Sequence, residues 1–212
     1  LHQSLLPKYR GPSPIQTAIL RGDATTGVSV MLLDEGMDSG PIYAQKRERI
    51  KKTDTARTLS LRLASVCAEL LCKFLPSILA HKVRPEPQNE KKVTITKLLT
   101  KEDGGIDWNQ SAIQVDRRVR AMIGWPGAWA EWEGANHLRR VRICILEGAP
   151  LEASHDVASK IGSLTKLPAF PLVVQTGRGR YIIHKLQREG KQPLMSDAFL
   201  RGQQDFYAGR FR

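Results

Sequence analysis

The hydrophobic pattern of this chain changes from helical to strand spacing between residues 82 and 125, and that change limits the folds available to it. Over residues 54–82 apolar side chains recur at spacings of three and four, which is typical of a long amphipathic helix. Residues 83–92 contain two prolines followed by two lysines, as a linker between domains would. From Trp125 onward apolar and polar residues alternate in short runs, which predicts β-strands. The sequence therefore predicts two domains of different class.

Before the linker, the sequence predicts an α/β arrangement. A helix is expected over residues 14–22, because a Ser-Pro pair begins the segment and a glycine ends it. Apolar runs rich in β-formers predict strands at residues 28–33 and 42–50. The long helix within residues 54–82 would be kinked or split at Pro76.

After the linker, one helix and several strands are expected. The helix would cover residues 111–123, with Ile113, Val119 and Met122 facing the core. Alternating runs separated by turns that contain glycine predict strands at residues 128–132, 138–146, 171–175 and 180–186. Several short strands in so few residues indicate a small β-barrel or sandwich.

The charge balance points to a polyanionic partner. Lysine and arginine number 33 against 21 aspartates and glutamates, a formal net charge of +12. An excess of this size most often indicates nucleic acid, and the alternative is a protein that is simply basic. No apolar run of about 18 residues occurs, so we expect neither a transmembrane helix nor a membrane partner.

The cysteines and histidines do not suggest a metal centre. Cys67, Cys72 and Cys144 are odd in number and form no CxxC pair, so neither a zinc site nor a disulfide framework is expected. The histidines are scattered along the chain. We therefore expect no metal and a reducing compartment, the cytoplasm.

His2 and Asp38 are the residues best placed by the sequence to do acid–base chemistry. Each lies beside glycine or proline in a segment expected to be a loop, where functional sites tend to be built. Imidazole exchanges protons near neutral pH, and a neighbouring carboxylate would orient it and favour its protonated form. Considered without further information, both residues could equally be solvated polar side chains.

Two long motifs resemble the signatures of folate-dependent formyltransferases. The first is His-Gln-Ser-Leu-Leu-Pro-Lys-Tyr-Arg-Gly at residues 2–11. The second is Thr-Gly-Val-Ser-Val at residues 26–30 together with Asp-Glu-Gly-Met-Asp-Ser-Gly at residues 34–40. Their order and spacing match those of the family, in which His2 and Asp38 would be the catalytic pair.

The sequence after the linker resembles the second domain of the methionyl-tRNA formyltransferases. The similar segments are Ile-Asp-Trp at 106–108, Ser-Ala at 111–112, Arg-Ala-Met at 120–122, Trp-Pro-Gly-Ala at 125–128 and residues 190–202. The resemblance implies the C-terminal half of a Rossmann-like catalytic domain in residues 1–85 and a linker in residues 86–104. Residues 105–212 would form an OB-like barrel that binds tRNA.

The resemblance also implies substrates and roles. The formyl donor would be 10-formyltetrahydrofolate and the acceptor the α-amino group of methionyl-initiator tRNA, in translation initiation by a monomer without metal. His2 would transfer the proton and help to stabilise the oxyanion, and Asp38 would orient His2. The segment that resembles the folate site consists of Ser4, Leu5, Leu6 and Pro7.

The basic residues are spread over both predicted domains. Strand alternation would place Arg140 and Arg142 on one face, as a track for phosphates. As a set the basic residues suit contacts to the tRNA backbone better than base readout, although each alone could simply be solvated. The densest groups that we assign to nucleic acid are Lys91, Lys92, Lys97, Arg117, Arg118, Arg140 and Arg142.

The chain departs from the family at its beginning. It starts at Leu1 without an initiator methionine, one position too late to include the Asn that precedes the catalytic His in the family signature. We therefore expect a segment of a longer protein whose missing half, about a hundred residues, contributes to folate binding and catalysis. Three alternatives stay open: another folate-dependent formyltransferase, a formyltetrahydrofolate dehydrogenase-type domain, and a tRNA-binding module without activity.

Overall fold

A computed structural model describes residues 1–135, 140–151 and 160–212, which form two compact units. The first unit comprises Leu1–Leu99 and the second Thr100–Arg212. Among the described residues, no helix has the length and apolar composition that crossing a bilayer needs.

The first unit packs a long helix on a two-stranded sheet. Helix α1 covers Pro14–Arg21, strand β1 Thr25–Met31, strand β2 Ile42–Arg49 and helix α2 Ala56–Leu79. Strands β1 and β2 are antiparallel, with Val28 opposite Lys46, and α2 contacts both of them. A short 3₁₀ turn follows at Glu90–Lys92. The two helices and two strands predicted in this part of the sequence are present, but the first strand covers Thr25–Met31 instead of residues 28–33.

Helix α2 is fixed at its start by a capping box. The Thr55 hydroxyl accepts from the Thr58 backbone N–H, and the Thr58 hydroxyl accepts from the Thr55 N–H. Its buried face consists of Leu59, Leu63, Val66 and Leu70. Of the two outcomes predicted at Pro76, a kink or a split, the split is wrong, because α2 runs through Pro76 to Leu79. Pro76 lies in the last turn, so its missing N–H removes only one helical hydrogen bond.

The second unit is one helix and an antiparallel sheet that nearly closes on itself. A 3₁₀ turn at Glu102–Gly104 precedes helix α3, Ala112–Ala121. The remaining elements are β3 Ala128–Glu133, β4 Arg140–Leu151, β5 Leu164–Leu167, β6 Phe170–Gln175, β7 Arg180–Arg188, β8 Leu194–Met195, helix α4 Ser196–Arg201, a 3₁₀ turn Gln204–Ala208, and β9 Arg210–Phe211.

The sheet order makes this unit barrel-like. The strands follow one another as β5–β6–β7–β4–β3–β9, and β8 pairs with β7. An isolated bridge between Ser163 and Arg210 joins the first strand to the last, and the Phe211 N–H donates to the Gly162 carbonyl at 2.9 Å. Inside, Phe211 stacks on Trp108 with ring centroids 5.3 Å apart. The predicted barrel is thus built around an aromatic core.

Two sequence predictions in the second unit need correction. Ile113 is 43% exposed and does not face the core, whereas Val119 and Met122 are buried as predicted. The apolar face of α3 runs through Val115, one helical turn before Val119, and Ile113 lies off that line. The first two residues of the strand predicted over residues 138–146 lie outside the described residues. The described strand is β4, which continues beyond the predicted end to Leu151.

The start of α2 holds an ion pair between the buried Asp54 and the half-buried Arg62. Asp54 accepts from Arg62 Nη1 at 2.8 Å and Nη2 at 2.5 Å, and from the Lys51 N–H at 2.7 Å. The hydrogen bonds from Arg62 lower the pKa of the Asp54 carboxyl, against the opposing effect of its burial. Because the pKa of Asp54 is lower in the folded than in the unfolded protein, its ionised carboxylate stabilises the fold. This stabilisation is complete at pH values above the unfolded-state pKa and is lost as the pH falls through the folded-state pKa.

We therefore predict that Asp54→Asn lowers the free energy of unfolding at pH 7 by about 1–3 kcal/mol. The difference from wild type should shrink below about pH 4, where the wild-type carboxylate is itself protonated. Urea unfolding followed by far-UV circular dichroism measures both effects. The matched control is Glu69→Gln, which removes an exposed ion pair to Lys46 and should cost less than about 1 kcal/mol. Equal losses of unfolding free energy in Asp54→Asn and Glu69→Gln at all pH values would contradict the prediction.

Candidate functional site

The first residues of the chain are anchored on strand β1. The His2 N–H donates to the Ser29 carbonyl and the Ser29 N–H to the His2 carbonyl, both at 2.9 Å. The Ser29 hydroxyl donates to the Ser4 carbonyl at 2.7 Å and accepts from the Leu6 N–H and from Gln45 Nε2. One buried serine therefore holds the segment at three points, His2, Ser4 and Leu6.

The other side of this segment pairs with residues 94–96. The Arg10 N–H donates to the Thr94 carbonyl at 2.9 Å, and the Thr96 N–H donates to the Arg10 carbonyl at 2.7 Å. The buried Arg10 side chain donates to Gln88 Oε1 and to Glu90. The segment is thus fixed from both sides, which leaves its loop geometry little freedom.

Gln88 connects this segment to the loop that carries Asp38. Its Nε2 donates to the Asp38 carbonyl at 2.8 Å and to the Gly40 carbonyl at 2.7 Å. Asp38 has a φ of 52°, in the left-handed region that aspartate tolerates better than most residues. The loop is therefore held by backbone contacts, and its aspartate is turned toward the first segment.

His2 and Asp38 lie side by side, as the sequence predicts. His2 Nδ1 is 3.4 Å from Asp38 Oδ2, and the same oxygen accepts from the Gly11 N–H at 2.7 Å. Gly11 has a φ of 100°, and a Cβ there would lie 2.9 Å from the Thr96 carbonyl, so the position requires glycine. The Asp38 carboxylate is thus aimed at His2 by a backbone donor.

A second backbone contact defines the protonation of His2. The imidazole Nε2 lies 2.8 Å from the Tyr9 carbonyl oxygen, which can only accept. Nε2 therefore carries a proton and donates it to Tyr9, and in the neutral ring Nδ1 has the free lone pair. Nδ1 is the nitrogen that faces Asp38. A positive charge on this buried imidazole would therefore face the Asp38 carboxylate.

The predicted folate segment divides into inner and outer residues. Ser4 and Leu6 are buried, and the Ser4 hydroxyl donates to the Lys8 carbonyl at 2.5 Å. Leu5 and Pro7 are half-buried. A Cβ on Gly27 of β1 would lie 2.5 Å from the Leu5 side chain, so this glycine makes room for Leu5 against the strand. Of these four residues, only Leu5 and Pro7 keep part of their surface exposed.

The basic residues assigned to nucleic acid fall into separate groups. In the first unit, the exposed Lys91 and Lys92 lie on the 3₁₀ turn, and Lys97 is also exposed. In the second unit, half-buried Arg117 and Arg118 lie on α3, and Arg118 donates to the Asp103 carbonyl at 2.6 Å.

Strand β4 carries the last pair of predicted basic residues. Arg140 pairs with Glu133, and the Arg142 guanidinium lies over the Trp129 ring, 4.0 Å from its centroid. The strand register places both arginines on the face opposite the core. Both are therefore accessible but already oriented by neighbours on β3.

Sequence reasoning missed the groups that orient the pair. Tyr9 and Gly11 act through backbone atoms, which leave no side-chain signal beyond the glycine itself. Gln88 lies in the segment that the sequence identifies as a linker. Among the described residues, no group of three histidine, cysteine, aspartate or glutamate side chains could hold a metal ion.

Family comparisons cover most of the chain. Residues 1–75 match the family model described as formyl transferase, and residues 98–204 match that of the formyl transferase C-terminal domain. A methionyl-tRNA formyltransferase of Chloroflexus aurantiacus is 39% identical over 95% of this chain and 63% of its own length. That of Gluconobacter oxydans is 36% identical over 96% of this chain and 62% of its own. The chain thus spans somewhat less than two thirds of these curated relatives.

Solved structures share the fold. HypX from Aquifex aeolicus in complex with tetrahydrofolic acid has a TM-score of 0.67 at 18% identity, covering 94% of this chain and 34% of that one. An N-formyltransferase from Helicobacter canadensis with folinic acid and dTDP-3-aminofucose has a TM-score of 0.66 at 20% identity, covering 88% and 64%. The predicted fold class, an α/β unit followed by a small barrel, is confirmed. The chain belongs to the formyl transferase family.

Proposed function

We propose that this chain carries the proton-transfer site of an enzyme that moves a formyl group to the α-amino group of methionyl-initiator tRNA, for translation initiation. The observation that carries the proposal is the His2–Asp38 pair, with Nδ1 and Oδ2 3.4 Å apart. The choice of acceptor is supported by relatives that bear the name methionyl-tRNA formyltransferase.

Formyl transfer to an amine needs a group that accepts the amine proton. His2 Nδ1 suits this role because the Tyr9 carbonyl keeps the other ring nitrogen protonated. Asp38 balances the positive charge of the protonated ring, and Gly11 keeps its carboxylate in place. General acid–base catalysis of this kind contributes about a hundred- to ten-thousandfold to a rate.

The donor we propose is 10-formyltetrahydrofolate, which supplies the formyl group when bound. Leu5 and Pro7 are the side chains that would contact it, because both are half-buried and apolar and lie in the segment that begins at His2. Ser4 and Leu6 would act indirectly, by holding the loop. The absence of a Cβ at Gly27 supports this assignment, since it lets Leu5 lie flat on β1.

The tRNA would be bound through its phosphates. The proposed contacts are Lys91, Lys92, Lys97, Arg117, Arg118, Arg140 and Arg142, and the net charge of +12 supports them. Residues 1–85 would serve catalysis, residues 86–104 would connect, and residues 105–212 would bind tRNA. We also propose that the protein acts as a monomer in the cytoplasm.

We predict that Asp38→Asn lowers the rate of formyl transfer roughly a hundredfold. Asparagine tolerates the left-handed backbone of this position and can accept the Gly11 hydrogen bond, so only the charge is lost. The assay uses methionyl-initiator tRNA with the full reading frame that contains this chain, and the chain alone is measured beside it.

The matched control for that assay is Asp34→Asn. Asp34 lies in the same loop but is exposed and accepts from the Ser39 hydroxyl, so its variant should keep the wild-type rate. Equal rates for both variants would contradict the proposed site. Turnover with a nucleotide-sugar amine but not with methionyl-tRNA would favour another formyltransferase, and tRNA binding without turnover in the full reading frame would favour a binding module.

The phosphate contacts give a second prediction. The double variant Lys91→Ala/Lys92→Ala should bind initiator tRNA more weakly and flatten the dependence of log affinity on log salt by about two units. Lys51→Ala/Lys52→Ala removes the same charge from an adjacent exposed pair outside the proposed set and should change the slope less. Fluorescence anisotropy at several salt concentrations measures both. Indistinguishable slopes for the two double variants would remove Lys91 and Lys92 from the interface.

A further inference from the structure

The outer face of β3 carries a buried carboxylate surrounded by arginines. The Glu133 side chain is only 2% exposed, and its Oε1 accepts from Arg140 Nε at 3.3 Å and Nη2 at 3.1 Å. Its Oε2 accepts from Arg212 Nε at 2.6 Å and lies 3.8 Å from Arg210 Nε. Among the described residues, three guanidinium groups therefore converge on one carboxylate from both neighbouring strands.

The strand register extends this arrangement by a second row. Arg140 on β4 and Arg210 on β9 lie opposite Glu133. Two residues along β3, Glu131 lies opposite Arg142, and its carbonyl accepts from the Arg212 N–H at 2.8 Å. We call the four arginines 140, 142, 210 and 212 the arginine ladder. Its two rows are roughly 7 Å apart, two residues along a strand.

The charges of this face do not balance. Among the described residues of this face, the four arginines face Glu131 and Glu133 on β3, and Glu189 lies beside Arg142 on the other side of β4. The arginines therefore outnumber the carboxylates around them. One guanidinium and a few additional hydrogen bonds would compensate the charge of a buried carboxylate. A second and a third guanidinium add positive charge that this carboxylate does not require. The Arg140 and Arg212 side chains are nevertheless 63% and 47% exposed. Their inner nitrogen atoms are fixed by Glu133 while much of each guanidinium faces solvent.

Arg142, in the second row, is held in a different way. The Arg142 guanidinium lies on the Trp129 ring, which orients it by a cation–π contact. The indole N–H of Trp129 donates to the Lys101 carbonyl at 2.9 Å, so the ring itself is fixed. Arginines whose rotamers are fixed before binding lose less entropy when they bind an anion.

We propose that the arginine ladder binds successive phosphates of an RNA backbone, and that Glu133 is the positioning residue that aims Arg140 and Arg212. Exposed, planar, preorganised guanidinium groups are the side chains best suited to phosphate oxygens. The proposal rests on the proposed function for its ligand, tRNA, and adds Arg210, Arg212 and Glu133 to the residues assigned from the sequence.

The test compares two glutamate-to-glutamine variants, Glu133→Gln and Glu131→Gln. Each removes one negative charge from the same face of the same strand. If only net charge mattered, both variants would bind initiator tRNA more tightly than wild type. If Glu133 positions the arginines, Glu133→Gln binds roughly tenfold more weakly while Glu131→Gln binds as tightly as wild type or more so. The two accounts therefore predict opposite signs.

Two further variants guard against a folding defect. Glu133→Asp keeps the charge and should recover part of the lost affinity. Arg140→Ala combined with Arg212→Ala changes two exposed side chains and should flatten the salt slope by about two units. Thermal unfolding followed by tryptophan fluorescence reports the second unit, because all four tryptophans lie in it.

Tighter binding by Glu133→Gln, or an unchanged slope in the double arginine variant, would overturn the proposal. The proposed function would survive that result, because formyl transfer depends on His2 and Asp38. A wild-type chain that does not bind initiator tRNA at any salt concentration would overturn both the ladder and the tRNA-binding part of the proposed function.

Discussion

The candidate site depends on the antiparallel pairing of His2 with Ser29. Two backbone hydrogen bonds lay the first residues beside β1, and the Ser29 hydroxyl then fixes the turns around Ser4 and Leu6. Because α2 packs on β1 and β2, the position of His2 is ultimately set by the hydrophobic face of that helix. The acid–base chemistry that we propose for His2 would therefore rest on an ordinary α/β core.

Backbone atoms orient both side chains of the proposed catalytic pair. The Tyr9 carbonyl holds the His2 ring through Nε2, and the Gly11 N–H holds the Asp38 carboxylate. The distance between the two side chains, 3.4 Å, is longer than a strong hydrogen bond of about 2.9 Å. Both of these backbone groups belong to the segment that begins at His2, so each side chain keeps its orientation without the other and the charge at Asp38 can be removed while the geometry stays.

Sequence reasoning found the pair and the two fold classes but not the contacts that join them. His2 and Asp38 lie in long motifs. Helix α2 could be predicted because its apolar residues recur at spacings of three and four. The strand register of β9 and the closing bridge at Ser163 could not be predicted, because strands of two residues have no readable period. Glu133 was missed for a similar reason. A glutamate at an outward strand position is expected to be solvated, and the arginines that bury it are brought there by strands β4 and β9, which pair with β3.

The central claim is that His2 Nδ1 accepts the proton during formyl transfer. Glutamine at residue 2 can place its amide N–H near the position of Nε2 and donate to the Tyr9 carbonyl, yet it has no basic nitrogen. The most direct test is therefore the single-turnover rate of formyl transfer to methionyl-initiator tRNA by His2→Gln in the full reading frame, at saturating substrates. The account predicts a rate about a hundred- to ten-thousandfold below wild type, with unchanged tRNA affinity and unfolding temperature. A rate within about tenfold of wild type would contradict it.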